Sequence, residues 1–80
     1  MKYIVIELQT NQDGTVGNLV YAYDDRLQAE QKYHLILASA AVSALPSHAA
    51  TILTSDGRLV ANQCYRHPIE VEETEVEVDE

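Results

Sequence analysis

The chain has 80 residues, a formal net charge of −8, one Cys, no Trp and no Phe. That length makes a single domain with a modest core, and one Cys excludes an internal disulfide. The five Tyr are the only aromatic residues, so a core must come from Ile, Leu, Val, Ala and tyrosine rings.

The charge is unevenly placed. Residues 70–80 hold seven of the thirteen acids, while residues 1–69 set six acids against five bases and carry −1. The bases Lys2, Arg26, Lys32, Arg58 and Arg66 are scattered. Phosphate recognition needs a concentrated positive surface, so direct nucleic-acid binding is not expected. No apolar run is long enough to span a bilayer, and the N-terminus lacks a secretory pattern. A soluble cytoplasmic protein is the expectation.

Residues 1–10 read as a strand. Tyr3-Ile4-Val5-Ile6 is β-branched and aromatic, and Ile4, Ile6 and Leu8 alternate onto one uninterrupted apolar face, which is expected to look at the core. Tyr3, Val5 and Glu7 fall on the other. Asn11-Gln12-Asp13-Gly14 is turn chemistry. Gly17 is read as the mark of a bulge or of a loop end. Residues 19–23 form a second strand, antiparallel to the first, with Leu19, Tyr21 and Tyr23 on one face.

Residues 25–45 hold the one substantial helix. Asp24 or Asp25 can cap it, and Gln28 lies three residues after Asp25 in a capping-box arrangement. Helical spacing gathers Ala29, Tyr33, Ile36, Leu37, Ala40 and Ala44 on one arc, the predicted core face. Pro46 ends the helix. Residues 49–54 and 58–67 read as a hairpin around Ser55-Asp56-Gly57. Both of its faces carry an apolar pair near the turn, which leaves the buried face open. Ile52 facing Val60, continued by Cys64, is the inward set favoured. Residues 69–80 alternate Val and Glu around Thr74 and are expected to form a disordered acidic tail after a domain of residues 1–68. The predicted fold is α+β, β-β-α-β-β, with one helix on a four-stranded antiparallel sheet.

No residue set carries a recognisable chemistry. Cys64 and His67, with His34 and His48 elsewhere, fall short of a zinc set, and positions 64 and 67 would point to opposite faces of a strand. Cys64 with a histidine as base lacks a third orienting group and an oxyanion turn, and apolar burial would raise its pKa. Asp24 and Asp25 are explained as caps, and Gly14 and Gly17 make no phosphate loop. No catalytic residue, metal or cofactor is therefore expected. Two surfaces are candidates for contact with another protein. One is the outer helix stripe of Leu35, Ala38 and Val42, where a monomer should be polar. The other is a tyrosine face of Tyr3, Tyr21 and Tyr23, joined by Tyr65, on the side of the sheet away from the helix.

The opening Tyr3-Ile4-Val5-Ile6-Glu7-Leu8-Gln9-Thr10, the stretch Asp13-Gly14-Thr15-Val16-Gly17-Asn18-Leu19-Val20, then Ala29-Glu30 with Tyr33-His34, Ala40-Ala41-Val42-Ser43 and the acidic end resemble a group of small uncharacterised proteins. These are encoded by gut Gram-positive bacteria, often in prophage regions. The resemblance covers most of the chain, implies a phage-accessory or assembly context and supplies no active site. The sequence thus predicts a non-enzymatic interaction module, homodimeric or bound to another protein. The alternatives are an inhibitor of a nucleic-acid-binding host protein, its tail imitating a polyanion, and a small enzyme using Cys64.

Overall fold

The computed structural model describes residues 2–67; the predicted acidic tail lies outside the described residues. The elements are β1 (Tyr3–Thr10), β2 (Val16–Tyr23), α1 (Arg26–Ala41), β3 (Ser47–Thr54) and β4 (Leu59–Arg66). All strand pairings are antiparallel, in the order β2-β1-β3-β4. The fold is the expected α+β arrangement of one helix on a four-stranded sheet. β1 and β3 are central because the chain leaves β2 at one edge, crosses through α1 and returns beside β1.

Local chemistry sets both hairpins. In the first, Gly14 has φ 90° and the Asp13 carboxylate accepts from the Thr15 amide and hydroxyl at 3.0 and 2.6 Å. In the second, Gly57 has φ 90° and the Thr54 amide donates to the Arg58 carbonyl at 2.8 Å. Both glycines take the left-handed conformation that a Cβ disfavours. Gly17, by contrast, lies within β2 opposite Gln9 in an unbroken ladder, so it marks neither a bulge nor the end of the loop.

Asp25 is the N-cap of α1, its carboxylate accepting from the Leu27 amide at 3.0 Å. The helix is shorter than the sequence suggests. It ends at Ala41, and Val42 is the C-cap. The Ser43 hydroxyl accepts from the Leu45 amide at 3.0 Å, a local bond that competes with another helical turn. Ala44 is therefore exposed rather than part of the core arc. The other five predicted arc residues, Ala29, Tyr33, Ile36, Leu37 and Ala40, are all buried.

The helix covers Val5, Ala50 and Ile52 of the central strands. Burying a side chain such as Val5 or Ile52 stabilises the fold by about 1.5–3 kcal/mol each. The face of β1 turned to the helix is therefore the one bearing Tyr3, Val5 and Glu7, and the expectation that Ile4, Ile6 and Leu8 look inward is corrected. In the second hairpin Ile52 is inward as favoured, but its partner is Ala61 rather than Val60. A register irregularity falls where Leu53 pairs with Leu59 and Ile52 with Ala61, leaving Val60 as an extra residue. Val60 and Ala61 both pack against the core. Past this bulge the alternation is reversed, and Cys64 is turned to the outside rather than inward.

Candidate interaction surfaces

The predicted site residues lie in two places. Leu35, Ala38 and Val42 are on the outer side of α1, with Leu35 58% and Val42 85% exposed. Leu27, 74% exposed, extends the same stripe two turns toward the N-terminus. The spacing 27, 31, 35 was a signal for it, although Gln31 interrupts the apolar run. Tyr3, Tyr21 and Tyr23 are not on the face away from the helix. They are half-buried and pack against the core on the helix side, as does Tyr65. The Lys32 ammonium sits 4.2 Å from the Tyr21 ring centroid, a cation–π contact that joins α1 to the sheet. These rings close the border of the core and do not form a separate outer face.

The histidines and the cysteine are dispersed. His48 is buried, and its Nε2 donates to the Glu7 carboxylate at 2.6 Å. The ionised carboxylate only accepts, which places the proton on Nε2. Gln9 donates to the same oxygen at 2.9 Å, and the His48 Nδ1 is buried without a partner. Burial pushes the Glu7 carboxyl up, but the bonds from His48 and Gln9 and the charges of His48 and Lys32 outweigh it, and the group lies below its ordinary 4.5. His67 Nε2 lies 2.8 Å from the Ala40 carbonyl, while His34 is exposed on the helix. Among the described residues no three His, Cys, Asp or Glu side chains gather in a group that could hold a metal.

Cys64 is exposed on the other side of the sheet from His48, with its Sγ 3.2 Å from the Ser47 hydroxyl. That hydrogen bond, aided by the Arg66 charge, holds the thiol below its ordinary value, the reverse of what apolar burial would do. No described imidazole is within hydrogen-bond reach of the sulfur, so the Cys–His pairing that nucleophilic chemistry needs is not assembled there.

The sheet face opposite α1 is the one the sequence suggests as a contact surface, but it carries none of the tyrosines expected there. In the pairing register, β1 contributes Ile4, Ile6, Leu8 and Thr10 to it, and β3 sets Leu53, Thr51, Ala49 and Ser47 opposite them. Ala22, Val20, Asn18 and Val16 stand alongside on β2. Leu59, Asn62, Cys64 and Arg66 complete it on β4. Of these sixteen positions, Arg66 alone is charged. Val16, Val20 and Leu59 are each more than half exposed, and no described element lies over this face. Its relief is uneven. Ile4, Ile6 and Leu8 make a ridge along β1. The smaller Ala49 and Thr51 beside it, with Leu8, Asn62, Gln63 and Cys64, line a shallow hollow of about 330 Å³. The signal for this face lay in β1, where both alternations are apolar from Tyr3 to Ile6.

No described helix is long and apolar enough to cross a membrane. Compared with known protein families, with curated proteins and with solved structures, the chain gives no match.

Proposed function

We propose that this chain is a non-enzymatic protein-interaction module and that its working surface is the open face of the sheet. The observation that carries the reading is the single charge among the sixteen outward positions. An antiparallel sheet with one solvated face ordinarily alternates apolar-in and polar-out. Here the outward side bears Ile4, Ile6, Leu8, Val20, Leu53 and Leu59, while a Glu–His pair lies on the inward side. Contiguous apolar surface beyond a few hundred Å² marks a place where another surface docks. The helix stripe of Leu27, Leu35, Ala38 and Val42 is a smaller companion. Sixteen residues make a ridge of about 24 Å, one side chain wide. The phage-accessory or assembly context implied by the resemblance is part of the same proposal, and the neighbouring genes would test it.

The test is site-specific photocrosslinking in cells producing the chain, with the reactive residue at Thr51 on the open face, at Ala38 on the helix stripe, or at the exposed helix position Gln28. A discrete adduct from Thr51 and none from Gln28 supports the reading. Adducts from Ala38 alone would move the working surface to the helix, and no discrete adduct from either would sink the proposal.

A further inference from the structure

We infer that the partner of the open sheet face is a second copy of this chain, stacked sheet against sheet with the helices outside. The inference rests on the reading of that face as an interaction surface and identifies what covers it.

Three observations carry it. The first is area. Four strands at about 4.8 Å spacing and eight residues at about 3.4 Å rise give a face of about 19 by 27 Å, or about 500 Å² in projection. Two such faces together approach the roughly 1,200 Å² at which stable interfaces begin, since accessible area exceeds projected area. The helix ridge falls far short of that. The second is charge. The chain is strongly acidic overall, with a net charge of −8, yet this face has no acid and one base. It offers no complementary pattern to a charged partner and sets no cluster of like charges against itself. The third is relief. The face carries both a ridge, on β1, and a hollow, beside it on β3 and β4.

A two-fold interface needs a surface complementary to itself. A two-fold axis parallel to the strands, midway between β1 and β3, turns the β1 ridge of each copy over β3 of the other. Leu8 then faces Ala49 and Ile6 faces Thr51 across the stack, with the sheets about 10 Å apart. The same operation brings β2 over β4. Arg66 meets Val16 rather than its own copy, and Cys64 meets Asn18. The two Cys64 residues end at opposite borders of the interface, each shielded and too far apart to form a disulfide.

The experiment is light scattering on the full chain across a dilution series, with Ile6→Lys, Thr51→Glu and Leu35→Glu compared. The wild type is expected to have the mass of two chains and Leu35→Glu to keep it. Ile6→Lys and Thr51→Glu should give monomers with unchanged circular dichroism. Thr51→Glu serves should the lysine disturb folding. A wild-type monomer at every concentration, or a dimer lost in Leu35→Glu and kept in both sheet variants, would overturn the inference. Labelling of Cys64, the only thiol, should slow as concentration rises, without a disulfide-linked species on non-reducing gels. A labelling rate independent of concentration would also overturn it. A monomer whose Thr51 crosslinker still gives a discrete adduct with a different protein leaves the interaction surface standing and removes only the second copy. A monomer with no adduct removes both.

Discussion

The Glu7 carboxylate lies on the helix side of the sheet with an imidazole as its neighbour, the two side chains only 12% and 6% exposed. A carboxylate so placed is tolerated because it accepts hydrogen bonds, and removing a donor leaves it under-satisfied. His48→Ala should cost about 1–3 kcal/mol of folding stability, measured by urea denaturation at neutral pH. The pair also sets a pH dependence. The folded Glu7 carboxyl lies below its ordinary 4.5, so above that pH it is ionised in both states and its stabilising contribution is complete. As pH falls below 4.5 the unfolded chain takes up the proton first, and stability declines until the folded group is protonated too. Asp13 and Asp56, lowered by hydrogen bonds from the Thr15 and Thr54 side chains, act with the same sign. Glu7→Gln should therefore flatten the fall in urea midpoint between pH 6 and pH 3, but only partly; an unchanged slope would show that Glu7 plays no part in it. This pair also explains why the orientation of β1 was not legible in the sequence. Glu7 looks like the marker of a solvated face, and its hydrogen-bonding partner is 41 positions away on another strand.

At the level of elements, much was readable from local chemistry. The Asp25 cap, the two glycine turns and the helical spacing of Ala29, Tyr33, Ile36, Leu37 and Ala40 each depend on residues close in sequence, and each is where the sequence places it. What was not readable depends on parity. From Tyr3 to Ile6 β1 is apolar on both alternations, so hydrophobic pattern there cannot choose its face and Glu7 points the wrong way. The bulge at Val60 then reverses the alternation of β4 and turns Cys64 outward, and nothing local in Leu59-Val60-Ala61 announces an extra residue. The helix boundary was lost to the Ser43 side chain, which ends α1 before Pro46 can. One consequence of the packing is directly testable. Ala29, Ala40 and Ala50 are fully buried, and their small side chains let α1 approach the sheet closely. Ala29→Leu should overfill that contact and cost about 1–3 kcal/mol. Ala38→Leu, on the exposed side of the same helix, should change stability by less than about 0.5 kcal/mol. Equal effects of the two in thermal denaturation would contradict the assignment of the helix faces.

The described residues form two layers, and their one helix covers only one side of a sheet that is apolar on both. A chain of this size gains little stability from a one-sided core, so association through the open face would change its stability as well as its mass. If folding is coupled to pairing, stability follows mass action. Each tenfold rise in concentration adds about 1.4 kcal/mol per mole of dimer. Shared between two chains, that is about 0.7 kcal/mol each, which for a domain this small corresponds to a rise in Tm of roughly 3–5 °C. Ile6→Lys should remove the concentration dependence and melt at one temperature throughout. The same variant should melt below the wild type at high concentration and approach it on dilution, because the substituted side chain lies outside the core of the single chain. A wild-type Tm that does not move with concentration would mean that the helix-side core alone sustains the fold. A variant that melts lower at every dilution would mean that Ile6 supports the monomer itself.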